Sequence, residues 1–140
     1  RMVYDTYSES RMRLLGHCLS TNLKVLSKFA TAYIWLSKSE LDEFDYQQGD
    51  TEGVVNYALS IQSVAVAALF TERDDRIRVS LRSKGNFSVN NFARTHFNGG
   101  GHRNAAGGDI FMTMADALSY FESLLPQYSN DIKLSLENYR

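Results

Sequence analysis

The 140-residue chain has little of several features that define whole classes of protein. It has one cysteine, Cys18, and one proline, Pro126, so no internal disulfide can form and the composition fits a reducing compartment. No apolar run approaches the roughly 20 residues that cross a bilayer, and the N-terminus lacks the continuous apolar stretch of a signal peptide. We therefore expect a cytoplasmic protein without a membrane span.

Net charge is also nearly absent, at -1, so the chain as a whole exerts no bulk attraction on nucleic acid or on an anionic membrane. The charges are nevertheless segregated. Acids but no Lys or Arg lie from Ser39 to Glu72, whereas the stretch from Arg76 to Gly108 has no acid. The basic residues of this acid-free stretch are Arg76, Arg78, Arg82, Lys84, Arg94 and Arg103. They predict a local positive potential, although we expect some to pair with the acidic stretch.

The chain also lacks a recognisable set of metal ligands. His17 is next to Cys18 without further ligands nearby, and His96 and His102 are not at a zinc-ligand spacing. We expect these histidines to be hydrogen-bonded or to face solvent.

Hydrophobic periodicity and turn residues predict the order helix, strand, helix, strand, strand, helix, strand, helix. Helices are expected at 8–19, 39–44, 51–57 and 89–97 and after Thr113. Strands are expected at 32–36, 64–70, 76–83 and 105–112. This order indicates an α/β or α+β domain with a mixed β-sheet of four to five strands and helices packed on it, preceded by a helical connector. We expect Asp50 or Thr51 to be the N-cap of the helix at 51–57. We expect the last helix to end before Pro126 and the polar tail from Ser129 to be weakly ordered.

One predicted strand, 76–83, alternates cleanly between two faces. Its apolar face has Ile77, Val79 and Leu81, and its polar face has Arg76, Arg78, Ser80 and Arg82. Asp74 and Asp75 precede it and predict the turn of a hairpin with the strand at 64–70. The helix that follows is expected to end at Gly99 as its C-cap.

A glycine run stands at the end of the acid-free stretch. Gly99, Gly100 and Gly101 have no Cβ, so another molecule can approach closely. Their successive N–H groups predict an anion-binding nest, and His102 and Arg103 place cationic donors beside it. The run suits a phosphate but matches neither the dinucleotide fingerprint nor the P-loop, and a flexible turn with an incidental histidine is the alternative.

Arg82 ends the alternating strand on its polar face. Its guanidinium offers a planar pair of donors to phosphate oxygens, and the hydroxyls of Ser80 and Ser83 add neutral donors. If this strand end lies beside the glycine run, Arg82, Ser83 and His102 converge on one phosphate. A surface arginine on a sheet face is the alternative interpretation.

Two motifs in this order resemble those of a known family. The first is Ser80-x-Arg82-Ser83, and the second is Gly99-Gly100-Gly101-His102 with Ala105-Ala106-Gly107. Together they resemble the motifs of the DHH-associated domain of DHH phosphoesterases. The segment Asp50–Tyr57, DTEGVVNY, resembles the stretch that opens this domain in the nano-RNase branch. That branch comprises oligoribonucleases that also remove a phosphate from adenosine bisphosphate (pAp). The resemblance extends over about residues 31–125.

The resemblance implies that this chain is the substrate-binding half of a two-domain phosphoesterase. Residues 1–28 are then a helical connector from a catalytic DHH domain, and 29–140 form the DHH-associated domain. A start at Arg1 rather than Met is expected of a fragment. The family's catalytic half binds two divalent metals, Mn²⁺ or Mg²⁺, through a set that includes an Asp-His-His triplet, which this chain lacks. We therefore expect no catalytic residue, no metal site and no activity in the chain alone.

The resemblance also implies which residues grip the substrate. The phosphate-binding residues are expected to be Arg82, Ser83, Gly99, Gly100, Gly101, His102 and Asn104, with Ser80, Lys84 and Arg103 as secondary candidates. The implied partners are short single-stranded RNA or DNA, pAp or a dinucleotide, and the chain's own N-terminal DHH domain. The implied activities are those of an exonuclease and a pAp phosphatase, and a homodimer is compatible with them.

Other functions remain open. The chain is alternatively the nucleotide-binding half of a cyclic- or linear-dinucleotide phosphodiesterase, or a non-catalytic module that binds phosphate or nucleic acid. A third alternative is an accessory domain like that of alanyl-tRNA synthetases, which have a similar glycine–histidine motif. No long basic surface or coiled coil supports it. Metal-ligand motifs ahead of Arg1 would favour the phosphoesterase, and a sensory or membrane segment there would favour the binding module.

Overall fold

The computed structural model describes residues 7–47, 49–51 and 53–139. The helices are α1 Glu9–Ser20, α2 Lys38–Glu43, α3 Val54–Leu59, α4 Val89–His96 and α5 Met114–Tyr139. The strands are β1 Leu23–Leu26, β2 Thr31–Leu36, β3 Val66–Glu72, β4 Ile77–Ser83, β5 Gly100–His102 and β6 Ala105–Ile110. Glu52, part of the segment that resembles the nano-RNase branch, lies outside the described residues.

The strands form one mixed sheet in the order β1-β2-β3-β4-β6-β5. Only β2 and β3 pair in parallel, and α2 and α3 lie in the crossover between them. The predicted α/β class is confirmed, and the hairpin at Asp74 and Asp75 is confirmed by the hydrogen bond from Arg73 N to Arg76 O. The sheet has six strands rather than four or five because β1 has only four residues and β5 is Gly-Gly-His, which lacks strand-forming side chains.

The sheet separates two apolar cores. One face packs against α4 and α5, where Phe70, Phe97 and Phe121 are fully buried. The other face packs against α1, α2 and α3 around Ile34 and Leu69. In β4 the predicted alternation is confirmed, since its apolar side chains face α4 and α5 while its arginines lie on the opposite face.

Helix α5 does not end before Pro126, so that prediction is wrong. The helix has 26 residues with Pro126 inside it, and the expectation of a weakly ordered tail from Ser129 is also wrong. Phe121 and Leu125 are buried ahead of the proline and Ile132 beyond it, so packing on both sides compensates for the backbone donor that proline lacks. None of the helices in the described ranges is long and apolar enough to span a membrane.

Two helix caps differ from those predicted. Asn98, with φ 52°, adopts the left-handed conformation after α4, where Gly99 was expected to stop the helix. Asparagine tolerates this conformation better than most residues, which is why the glycine is not needed there. Helix α3 begins after Gly53 rather than after Asp50 or Thr51. The Asp50 carboxylate instead accepts a hydrogen bond from Gln47 N at 2.9 Å and closes the preceding turn.

A half-buried carboxylate ties α1 to the start of α2. Glu40 accepts hydrogen bonds from Asn22 Nδ2 at 2.6 Å and from Ser37 N at 2.9 Å, and its Oε2 lies 2.5 Å from His17 Nε2. Burial alone would raise the pKa of Glu40, but the bonds from His17, from the Ser37 backbone and from Asn22 outweigh it and lower the pKa to about 2. The ionised form is thus the one that the fold stabilises.

We expect Glu40→Gln to lower the free energy of unfolding at pH 7 by about 3 kcal/mol, because an amide cannot accept all three bonds and has no charge. The native pKa lies below the unfolded value, so the wild-type stabilisation is complete above about pH 5 and is lost as pH falls toward 2. Urea unfolding from pH 7 to pH 3 measures both effects. Glu43→Gln, an exposed change on the same helix, is the control. Equal pH profiles for wild type and Glu40→Gln would contradict this assignment.

Candidate functional site

Arg82 and His102 lie on the same face of the sheet. Arg82 is directly opposite Ala105 across the β4–β6 pair, and His102 is directly opposite Ala105 across the β6–β5 pair. Residues opposite one another in antiparallel strands point to one face, and two strand spacings place their Cα atoms about 10 Å apart. The pairing thus brings together the two residues that the sequence placed at the centre of the site.

A cleft of about 220 Å³ opens beside Arg82, between β3, β4 and the loop before α3. We call it the arginine cleft. It is lined by Gly49, Thr51, Gly53, Val55, Leu69, Thr71, Arg73, Arg78, Ser80 and Arg82. The loop that resembles the nano-RNase branch therefore forms a wall of the same cleft that contains Arg82.

Sequence reasoning did not single out Thr71 or Arg73 as site residues. The two-residue turn Asp74-Asp75 could have identified Thr71. A turn of this length fixes the register of the hairpin and places Thr71 opposite Arg78, on the face with the other arginines of β4.

Among the described residues, no carboxylate lies within ion-pair distance of Arg82. Its Nη1 donates to the backbone carbonyl of Leu81 at 2.9 Å, which holds the side chain near the sheet. By contrast, Asp109 lies 3.0 Å from Arg76 Nε and accepts from Arg78 Nη1 at 3.2 Å. Arg82 thus has no carboxylate partner among the described residues, whereas Asp109 offsets part of the positive potential of Arg76 and Arg78.

Asp109 comes just after the acid-free stretch. We expected some arginines of that stretch to pair with the acids of 39–72, which is wrong for the described ion pairs. Arg76 pairs with Asp75 and Asp109, and Arg78 pairs with Asp109.

Ser83 does not converge with Arg82 and His102, which corrects one predicted role. It follows Arg82 in the strand and therefore faces the opposite side of the sheet, where it is 6% exposed. Its Oγ donates to Phe87 O at 2.7 Å. Asn104 donates from Nδ2 to Ser83 O at 3.1 Å, to Ser83 Oγ at 3.0 Å and to Gly85 O at 2.9 Å. Ser83 and Asn104 therefore clamp the β5–β6 turn to the end of β4.

The secondary candidates divide in the same way. Ser80 lies on the Arg82 face and lines the arginine cleft. The Lys84 ammonium donates to Ile61 O at 3.0 Å, so it serves partly to hold the chain. His102 and Arg103 are both exposed at the β5–β6 turn. His96 is different, because it packs on Phe92 with its Nε2 2.6 Å from the Tyr128 hydroxyl, and burial lowers its pKa.

The glycine run forms a strand rather than an open nest. Gly99 N donates to Ala93 O at 3.2 Å, and Gly101 N donates to Asn90 Oδ1 at 2.8 Å, so two of the three amides already have partners. The glycines instead allow close backbone approach. A Cβ on Gly99 would lie 1.9 Å from Gly107 O, and one on Gly108 would lie 2.1 Å from Phe97 O.

The described residues offer no metal centre. No group of three His, Cys, Asp or Glu side chains there is arranged to hold a metal ion. The two divalent metals that the resemblance implies therefore do not fit this part of the chain.

The comparison with known families decides where the chain belongs. The profile of the DHHA1 domain matches residues 26–125, which include β2, β3, β4, β5 and β6 and the whole arginine cleft. The chain belongs to the DHHA1 domain family. DHHA1 is the DHH-associated domain, so the family resemblance in the sequence is confirmed.

Curated relatives are phosphoesterases. The "Bifunctional oligoribonuclease and PAP phosphatase NrnA" of Bacillus subtilis is 35% identical over 86 residues, which cover 61% of this chain and 27% of that protein. The "3',5'-cyclic-nucleotide phosphodiesterase" of Helicobacter pylori is 31% identical over 115 residues, or 76% of this chain and 32% of that protein. The chain spans about a third or less of the length of these relatives.

Solved structures have the same fold. An exopolyphosphatase-related protein from Bacteroides fragilis superposes with a TM-score of 0.89 at 46% identity, covering 94% of this chain and 38% of that one. The pGpG-specific phosphodiesterase PggH of Vibrio cholerae has a TM-score of 0.61 at 16% identity, over 89% of this chain and 40% of that chain. At that identity the second likeness concerns the fold alone.

We expect Gly99→Ala to lower the free energy of unfolding by about 1–3 kcal/mol, since the new methyl group collides with the Gly107 carbonyl and must push β5 away from β6. Gly16→Ala is the matched control, because a Cβ there meets no atom within 4 Å and alanine favours the helix. Urea unfolding of both variants gives the comparison. Equal stability of Gly99→Ala and wild type would show that the backbones do not approach as described.

Proposed function

We propose that this DHHA1 domain is the substrate-binding part of a two-metal phosphoesterase that acts on short oligonucleotides, on pAp or on both. The observation that carries the proposal is the juxtaposition of Arg82 and His102 on one sheet face, beside a cleft with no carboxylate partner for Arg82 among the described residues. A nucleotide phosphate in this place would receive a charge-assisted pair of hydrogen bonds from the Arg82 guanidinium.

The surroundings of Arg82 favour an anion with further polar groups. Ser80 and Thr71 line the cleft with hydroxyl groups, and Arg78 and Arg73 add positive charge along it. His102 is exposed at the β5–β6 turn on the same sheet face as Arg82, and we propose that it contacts a ligand that extends out of the cleft. We assign Arg82 and His102 to the phosphate, Ser80 to a supporting bond, and Ser83 and Asn104 to holding the two motifs together.

We propose a division of labour between two domains of the whole enzyme, on the basis of the family resemblance. The described residues position a phosphate, and the metals belong to a catalytic domain that precedes them, with residues 1–28 as its connector and 29–140 as the binding domain. Positioning a substrate against a separate catalytic centre lowers the entropic part of the barrier. The names of the NrnA relatives favour an oligoribonuclease and pAp phosphatase. We propose that the whole enzyme acts on short oligonucleotides as an exonuclease.

A nucleotide phosphodiesterase is the second candidate. It is favoured by the Helicobacter pylori relative, whose matched segment covers 76% of this chain. Both candidates use the same phosphate contacts, so a comparison of pAp with a cyclic nucleotide as ligands separates them.

We expect Arg82→Lys to weaken binding of pAp and of 5′-phosphorylated diadenosine about tenfold or more, because lysine keeps the charge but loses the planar pair of donors. Isothermal titration calorimetry measures it, with diadenosine lacking the terminal phosphate as the reference ligand. The reference ligand should lose much less affinity.

Arg76→Lys serves as the control, since Arg76 is exposed, lies outside the arginine cleft and pairs with Asp109. If Arg82→Lys binds both ligands like the wild type, Arg82 is a surface residue and the proposed phosphate grip is wrong.

We expect the chain alone to bind but not to hydrolyse these substrates. The reason is that its described residues have no cluster of metal ligands. The assay incubates purified chain with Mn²⁺ and a short end-labelled RNA and follows product by gel electrophoresis. Turnover that a chelator abolishes would place a catalytic centre in the chain and overturn the division of labour.

A further inference from the structure

A second cleft, of about 320 Å³, adjoins the arginine cleft at the end of β4. We call it the tyrosine cleft. It is lined by Asn56, Leu59, Ser60, Ser83, Lys84, Gly85, Asn104 and Tyr139. Val55 and Asn56 are adjacent on α3 and line the first and the second cleft, and Lys84, two residues after Arg82, lines the second. The two clefts therefore lie side by side, roughly 7 Å apart along the chain. A single nucleotide is long enough to occupy both.

The two clefts differ in chemistry. The arginine cleft is lined by Arg73, Arg78 and Arg82, and none of its described lining residues is aromatic. The tyrosine cleft has one cation, Lys84, together with neutral amide and hydroxyl groups and one aromatic ring. Guanidinium groups select phosphate, whereas a nucleobase is bound by an aromatic face and by neutral donors and acceptors.

Tyr139 is placed to provide that face. It lies in the last turn of α5 and is 60% exposed. Lys84 Nζ lies 5.9 Å from the centroid of its ring, which draws the ring toward the end of β4. The helix reaches this point because Ile132 is fully buried and Ser135 Oγ donates to Lys84 O at 2.5 Å and accepts from Phe87 N at 3.0 Å.

We infer that the tyrosine cleft is the nucleobase subsite, in which the base of a nucleotide stacks on Tyr139 while its phosphate is held by Arg82. Asn56 completes the subsite. It is exposed on α3 at the rim of the cleft, and its carboxamide presents a donor and an acceptor side by side to the edge of a base. The inference rests on the proposed function, because it needs a nucleotide whose phosphate is at Arg82.

Tyr139 and the whole last turn of α5 lie beyond residues 26–125, the part that matches the DHHA1 profile. The base subsite therefore adds to the proposed phosphate grip a residue that lies outside the part matched by the DHHA1 profile. A ligand without a base should use the grip but not the addition.

The test compares pAp with ribose 5-phosphate, which has a phosphate but no base, in calorimetric titrations of the chain. Tyr139→Ala should weaken pAp binding about tenfold or more through loss of stacking and leave ribose 5-phosphate unchanged. Tyr139→Phe should keep the affinity for pAp, since the ring remains. Tyr57→Ala is the matched control, because Tyr57 is 51% exposed on α3 and lines neither cleft.

The outcomes separate the two levels of the argument. Unchanged pAp affinity in Tyr139→Ala, with the loss in Arg82→Lys intact, would overturn the base subsite and leave the phosphate grip standing. An equal loss of both ligands in Tyr139→Ala would also overturn it, since the residue would then act on the fold. If the wild type binds neither ligand, the proposed function fails and the subsite fails with it.

Discussion

The clamp between Asn104 and the end of β4 is the constraint on which the site depends. One carboxamide group holds the backbone at Ser83 and Gly85, and Ser83 N in turn donates to Asn104 O at 3.1 Å. These bonds fix the turn between β5 and β6 against the strand that presents Arg82. Without them, the position of His102 relative to Arg82 would depend on the β4–β6 pairing and on the pairing of β6 with β5, which has only three residues. Two motifs far apart in sequence thus behave as one rigid unit.

Burial and hydrogen bonding explain why Arg82 and Ser83 have different roles. Arg82 and Ser83 are neighbours in the chain, yet one faces the arginine cleft and the other is enclosed between β4 and the loop after it. The alternation of a strand forces this separation. A motif of adjacent polar residues therefore combines one group that meets the ligand with one that holds the scaffold, and both are needed for the geometry.

Much of the fold could be predicted from the sequence, because strong periodicity marks β4, α4 and the buried run of β3. The strands β1 and β5 could not, since neither carries a pattern long enough to distinguish it from a loop. The extent of α5 was hidden by Pro126, because the burial of Ile132 that overrides it is a tertiary effect. For the site, the order of the two motifs was enough to suggest that Arg82 and His102 lie near one another, as their common partner Ala105 places them. The assignment of the glycines to a nest was not upheld, since their amide partners on α4 are set by packing.

The glycine-rich strand has a consequence for how the molecule behaves in crowded solution. Within the described residues, β1 and β5 are the outermost strands of the sheet, and both have four residues or fewer. A short edge offers few unpaired backbone groups to a second chain, and the exposed Lys24 on β1 adds a charge that would have to be desolvated. The short glycine-rich sequence of β5 allows close approach to β6 and also limits the addition of a strand from another chain. Edge-to-edge aggregation of sheets is limited in the same way.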